Sequence, residues 1–211
     1  MLFRSDGINP DATTDIVVEN SIVQTGDDCF AVKCTNFGNR LRDEVRDVII
    51  RDNTTLNVKS ALKIGTETRC DRFENIVFDG NDVVTSDRAF TIYLRDDAIL
   101  ENIYYTNNHV ENAGGLRDDN NKIMDVAISQ RDRGVIWQHP EWSEQMRNNP
   151  GQLKNLTFEG NTIDTDGTRF LEAANLSGYD ANNMVSRVTF RDIVVNGELI
   201  TDPGDPVQFG N

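Results

Sequence analysis

The residues best equipped for chemistry are three aspartates in two short stretches. Gln24-Thr25-Gly26-Asp27-Asp28-Cys29-Phe30-Ala31-Val32-Lys33 sets two adjacent carboxylates against a strand-like apolar run, and Asp6 lies 21 residues before Asp27. Two acids ahead of an apolar strand are costly unless a turn keeps them in water or a reaction uses them. Paired carboxylates break glycosidic bonds, one protonating the leaving oxygen while the other activates water. A solvated acidic turn leaves the same local pattern, so the elements around the aspartates have to decide between the two.

Those elements repeat. Six segments share one pattern: Asp15-Ile16-Val17-Val18-Glu19-Asn20, Asp47-Val48-Ile49-Ile50-Arg51-Asp52, Asn75-Ile76-Val77-Phe78-Asp79-Gly80, Asn102-Ile103-Tyr104-Tyr105-Thr106-Asn107, Asn155-Leu156-Thr157-Phe158-Glu159-Gly160 and Arg187-Val188-Thr189-Phe190-Arg191-Asp192. Each is a short run of β-branched and aromatic residues closed by turn formers. With Ile16, Val48, Ile76, Ile103, Leu156 and Val188 as equivalents, the steps are 32, 28, 27, 53 and 32 residues. The 53-residue step is expected to span two coils. A period in this range marks a solenoid.

Register persists inside each unit. Asn53, Asn81, Asn108 and Asn161 fall five residues after their reference positions, Ser21 and Ile193 being the exceptions, which predicts a stacked asparagine ladder. Val23, Val83, Val110, Ile163 and Val195 form a second column, and Phe30, Leu62, Phe90 and Phe170 a third, with Val32, Ile64 and Ile92 two residues beyond it. Period-2 strands without an amphipathic helix between them predict an all-β, single-stranded parallel β-helix over residues 1–200. Residues 114–150 read as a long loop insertion containing one strand-like run, Met124-Asp125-Val126-Ala127-Ile128-Ser129, and residues 201–211 as a tail. Asp6 opens the chain with no earlier coil to cover the first rung. The expectation is therefore the C-terminal coils of a longer β-helix, or a chain that associates through that uncapped N-terminal rung.

The chain has 211 residues, 37% of them hydrophobic, and a formal charge of −14. That field opposes nucleic acid and anionic membrane surfaces. No apolar run reaches the roughly 18 residues of a membrane helix, and the first residues lack a signal-peptide core. Cys29, Cys34 and Cys70 show no paired spacing, so buried thiols are expected, with a bridge from Cys29 or Cys34 to Cys70 as the alternative.

In this frame Asp6 and Asp27 stand about one short coil apart. Alternation puts Asp28 in phase with inward Phe30 and Val32, so the chain is expected to bend near Gly26 and turn Asp28 to the surface. Three carboxylates would then share one patch of outer wall, where like charges raise at least one pKa.

Here the residues resemble the polygalacturonase-like glycoside hydrolases of family 28, right-handed parallel β-helix enzymes that cleave pectin backbones. Ser5-Asp6-Gly7-Ile8-Asn9-Pro10 is similar to that family's Asn-Thr-Asp-Gly motif, with Arg4-Ser5 in place of Asn-Thr. Gly26-Asp27-Asp28-Cys29-Phe30-Ala31-Val32-Lys33 is similar to its Gly-Asp-Asp-Cys-Ile-Ala-Ile-Lys strand, and Ser60-Ala61-Leu62-Lys63-Ile64-Gly65-Thr66-Glu67 falls where the family has Gly-His-Gly followed by a strand. The resemblance covers residues 4–112. It implies an inverting hydrolase of a polysaccharide or oligosaccharide, with Asp27 as acid, Asp6 and Asp28 activating water, no cofactor or metal, and a leaning towards a secreted protein.

The departures fall on substrate binding. The family's His position is Ser60 or Ala61 here, and its Arg-Ile-Lys strand is Thr91-Ile92-Tyr93. Lys63 shares an outward column with Thr91, and Lys33 shares one with Tyr93. Lys63 and Arg88 are candidate anchors for an acidic sugar, and Tyr93 a stacking platform for a neutral one. The bland alternatives are a solvated Lys63 and an Arg88 paired with Asp87 or another nearby acid. His109 and His139 read as surface residues in turns or loops. Trp137 and Trp142 read as either sugar-stacking or loop-burying aromatics, and Asp118-Asp119 lacks the spaced ligand set of a calcium site. A non-catalytic β-helix fragment or carbohydrate-binding module is the alternative to the hydrolase. A polysaccharide lyase is a third class, disfavoured by the three aspartates.

Overall fold

Four long strands carry the same burial rhythm, and its irregularity explains their shape. In β4 (Glu44–Arg51), β7 (Arg72–Asp79), β10 (Ile99–Thr106) and β13 (Gln152–Glu159) the buried positions are the second, fifth and seventh residues. Strict alternation would bury every second residue. The extra step is taken at Asp47, Asn75, Asn102 and Asn155, which have φ of 55°, 55°, 60° and 56°. Asp and Asn tolerate this left-handed conformation better than other residues with a side chain. Every rung takes the same bend, so the register between rungs is kept.

The computed structural model describes residues 5–35, 44–113, 122–130, 150–164 and 174–200. Among the described residues there is no helix, and the strands form three sheets. The first is ordered β1 (Thr14–Glu19), β4, β7, β10, β13, β16 (Val185–Arg191). The second contains β2 (Ile22–Gln24), β5 (Thr54–Leu56), β8 (Asp82–Thr85), β11 (His109–Val110), β14 (Thr162–Ile163), β17 (Val194–Val195) and β18 (Glu198–Leu199). The third is β3 (Phe30–Cys34), β6 (Ser60–Thr68), β9 (Arg88–Leu94), β12 (Lys122–Ile128), β15 (Ala174–Ser177). Every pairing is parallel except β17 with β18. Successive units add one strand to each sheet, which is a solenoid-like stacking.

The expected register is met residue for residue in the first sheet. Ile16 pairs with Val48, Val48 with Ile76, Ile76 with Ile103, Ile103 with Leu156 and Leu156 with Val188. One expectation fails: because Ile103 faces Leu156 directly, the 53-residue step is a single coil. Among the described residues, β10, β11 and β12 give this step one strand in each sheet. The register in the third sheet also gives Met124, then Ala174, the place after Phe90 that had been expected for Phe170, which lies outside the described residues.

The asparagine ladder closes the turn after the first sheet. Asn53 donates to Asn81 (3.0 Å), Asn81 to Asn108 (2.9 Å) and Asn108 to Asn161 (3.0 Å), all buried. Each such bond contributes about 1 kcal/mol net, and far more is lost if one partner is left bare. Asn75, Asn102 and Asn155 form a second, half-buried ladder with Asp47 at the bend positions. Phe78, Tyr105 and Phe158 stack in the interior and exposed Phe190 continues the row, with centroids 4.8, 5.1 and 5.2 Å apart, the spacing of the rungs themselves.

Buried thiols are found only at Cys29, whose burial pushes its pKa up to about 11. Cys34 and Cys70 form a disulfide, their Cα atoms 5.8 Å apart, because β6 returns the chain to the end of β3 before β7 begins. The expected loop insertion at 114–150 is described only at 122–130, where β12 extends the predicted strand backwards to Lys122, and at Pro150. Trp137, Trp142, His139, Asp118, Asp119 and the 201–211 tail lie outside the described residues.

Candidate active site

Asp6 reaches the wall of the third sheet because its segment runs alongside β3. Gly7 N donates to Asp28 O (2.9 Å), Ile8 N to Cys29 O (2.8 Å) and Ala31 N to Ile8 O (3.2 Å). The approach requires glycine: a Cβ on Gly7 would lie 2.5 Å from Cys29 O. As expected, the chain bends at Gly26 and Asp27. Thr25 Oγ1 and Asn57 Nδ2 both donate to Asp27 O, at 2.8 and 3.0 Å, and hold that bend.

The three aspartates converge. One oxygen from each of Asp6, Asp27 and Asp28 lies within 4.8 Å of the others. Asp6 and Asp27 are partly exposed. Asp28 departs from the expectation of a surface carboxylate, since only 4% of it is exposed. The bend has turned it out of the apolar interior, but Ser60 N (3.0 Å) and Lys63 Nζ (2.5 Å) cover it from the next rung. A carboxylate is tolerated there because it is paired and hydrogen-bonded.

Each aspartate has its own lysine. Lys33 Nζ is 2.6 Å from Asp6, Lys59 Nζ 3.4 Å from Asp27 and Lys63 Nζ 2.5 Å from Asp28. The chain has five lysines, and three of them stand on this cluster. The three ammonium groups supply positive countercharge to the converging carboxylates. Asp6 shows the result: burial raises its pKa, but the Lys33 and Asn9 hydrogen bonds and the Lys33 charge outweigh it and leave it below the ordinary carboxylate value. The expected like-charge elevation is therefore reversed at Asp6. Lys33 mirrors this: burial lowers its pKa, yet the bond and charge of Asp6, with Glu67 3.8 Å away, raise it overall.

The candidate anchors surround one ring. Lys63 is neither solvated nor distant: it is 8% exposed and bound to Asp28. Arg88, also 8% exposed, donates from Nε to Ser60 Oγ (3.1 Å), an acceptor other than the acids considered from sequence. The Tyr93 ring has Lys63 Nζ at 5.7 Å, Arg88 Cζ at 5.8 Å and Arg95 Cζ at 5.2 Å from its centroid. With three cations around it, its faces are poor stacking platforms for a neutral sugar. The Tyr93 hydroxyl donates to Asp125, and burial followed by the Asp125 charge raises the phenol well above its usual pKa. Asp125 is itself buried, 3.6 Å from Lys122 and bonded by Asn175 Nδ2 (2.9 Å).

Lys63 pairs with Thr91 in register as expected. Lys33 and Tyr93 do not share a clean column. The β3–β6 register jumps from Val32–Ile64 to Cys34–Thr68, and the extra residues place Glu67 beside Lys33.

Lys59, Arg95 and Asp125 were not singled out from sequence. Lys59 was accessible by register arithmetic: the 32-residue step from Ile16 to Val48 also carries Asp27 to Lys59. Asp125 faces Thr91 on β12, whose register the loop insertion obscured. His109 is on strand β11, correcting the turn or loop expected for it.

No protein-family model matches this chain, and no curated protein matches it.

Proposed function

We propose that this chain is a glycoside hydrolase of polygalacturonase-like type on a right-handed parallel β-helix, cutting O-glycosidic bonds of a polysaccharide or oligosaccharide. The single observation that carries the proposal is the convergence of Asp6, Asp27 and Asp28 within 4.8 Å on one wall. Asp27, at the bend and partly exposed, takes the role of acid. Asp6, held ionised by Lys33, suits the base that orients the attacking water, and Asp28 is assigned beside it as the second water-activating carboxylate. Lys63, Arg88 and Arg95 around Tyr93 favour an acidic sugar over a neutral one.

Inversion, implied by the family resemblance, calls for carboxyl groups about 6.5–9.5 Å apart, whereas retaining pairs stand about 5–5.5 Å apart. One oxygen of each aspartate lies within 4.8 Å of the others, which supports carboxylate chemistry and leaves the stereochemistry to experiment. Proton NMR of a reaction on acidic and neutral oligosaccharides tests both points. The proposal expects new reducing ends, and the anomer formed first reports the stereochemistry. An unsaturated product would replace the hydrolase with a lyase, and no product from any glycan would remove the enzyme.

A second proposal, a carbohydrate-binding module without activity, has its own observation. Each of the three aspartates is already engaged by a lysine, so the cluster forms a closed set of ion pairs. Saturable glycan binding without cleavage would favour it.

A further inference from the structure

On the second sheet, away from the three aspartates, His109 sits among carboxylates from three successive rungs. Asp82 on β8 and His109 on β11 are register partners, and Thr162 on β14 is the next in the row. Glu111 is two residues past His109, hence on the same face. Asp164 N bonds Val110 O (2.7 Å), which brings that residue beside Glu111 on the following rung. One ligating atom from each of Asp82, His109 and Glu111 lies within 4.8 Å of the others. Among the described residues, none of Asp82, Glu111 and Asp164 forms an ion pair with lysine or arginine.

The imidazole contacts are the telling part. Nδ1 is 3.0 Å from Asp82 Oδ1 and Nε2 is 3.1 Å from Asp164 Oδ2. A neutral imidazole has one N–H, so it can satisfy only one of these carboxylates. The contact at the other nitrogen is satisfied by a cation, either a second proton on the ring or a metal ion bound by both groups. A tetrahedral metal with nitrogen and oxygen ligands at about 2.0–2.2 Å holds neighbouring donor atoms about 3.3 Å apart. The Nδ1 to Asp82 distance is close to that. Histidines that bind metals usually give their other N–H to a carboxylate, which fixes the ring, and Asp164 stands in that place.

We propose that Asp82, His109 and Glu111 form a binding site for a divalent transition metal of the zinc class, with Asp164 as the carboxylate that orients the imidazole. His109 binds through Nδ1, and Asp82 and Glu111 each supply one oxygen. The fourth position is open to water, because all four side chains are at the surface. The mixed nitrogen and oxygen set selects zinc, cobalt or nickel over calcium, for which imidazole is a poor ligand. Bound there, the ion ties β8 to β11 and, through Asp164, to the rung of β14.

The full chain, stripped with chelator, is titrated with Zn²⁺ by calorimetry and with Co²⁺ by visible absorption. The expected result is one ion per chain, tetrahedral Co²⁺ bands, no displacement by excess Ca²⁺ and a rise in melting temperature. His109→Gln removes the bands and weakens Zn²⁺ by at least about 100-fold, and Asp164→Asn weakens it by about 10–100-fold. Glu111→Gln, at an exposed side chain, gives a second test should the histidine variant misfold, and it weakens binding by at least about tenfold. His139→Gln and Asp27→Asn retain the parent affinity. The proposal is overturned by absence of saturable binding, by binding that survives His109→Gln, or by binding lost in His139→Gln or Asp27→Asn. It is equally overturned if His109 proves to be a doubly protonated imidazolium whose NMR signals ignore added Zn²⁺.

Discussion

Two clusters of carboxylates lie on different sheets of the same solenoid-like stack and are balanced in different ways. On the third sheet, Asp6, Asp27 and Asp28 each meet a lysine within 3.4 Å. On the second, Asp82 and Asp164 share one imidazole, with Glu111 close by. The first cluster carries its countercharge in the sequence, as three lysine ammonium groups. Among the described residues the second has the His109 imidazole as its one cationic partner. Stacking brings acids together on both walls, and the cations beside them decide what those acids can do.

The largest effect that would sharpen this contrast is on activity. Asp27→Asn should lower glycan hydrolysis by about 10²- to 10⁴-fold, the usual worth of a positioned acid, measured as reducing ends per unit time. Next comes Lys63→Met. It leaves the buried Asp28 carboxylate without its partner and should cost about 3–5 kcal/mol in urea unfolding. Lys59→Met, at a pair whose side chains are 31% and 20% exposed, should cost less than about 1 kcal/mol. Equal costs for the two lysine variants would break the picture of a buried and an exposed pair.

The smallest effect is on the pH dependence of stability. Asp6 is lowered in the folded state, so its contribution is complete above the unfolded carboxylate value of about 3.9 and is lost as pH falls through the folded value. Lys33 is raised, so its contribution is complete below about 10.4 and is lost as pH rises through its folded value. Asp6→Asn should flatten both limbs of a melting-temperature profile, whereas His109→Gln should leave those two limbs in place.

Much of this architecture could be read from the chain because stacking repeats local chemistry. The six reference positions pair as spaced, and the ladder from Asn53 to Asn161 forms as counted. The 53-residue step was misread because period alone cannot tell a skipped rung from a loop, and only the Ile103–Leu156 pairing decides it. Meeting of the three aspartates followed from a one-coil separation and a glycine bend. Their partners were harder to see. Lysine reach depends on which side chains cover the wall, and the register jump between β3 and β6 moved Lys33 out of line with Tyr93. His109 was invisible as a site because its carboxylates, 27 residues before and 55 after, are neighbours only through the coil.

The proposed hydrolysis is tested most directly by comparing reducing-end release from an acidic polysaccharide by the parent chain and by Asp27→Asn, both shown to be folded. The account predicts release by the parent and a loss of at least about 100-fold in the variant. Equal release by both, or glycan binding with no release by either, would contradict it.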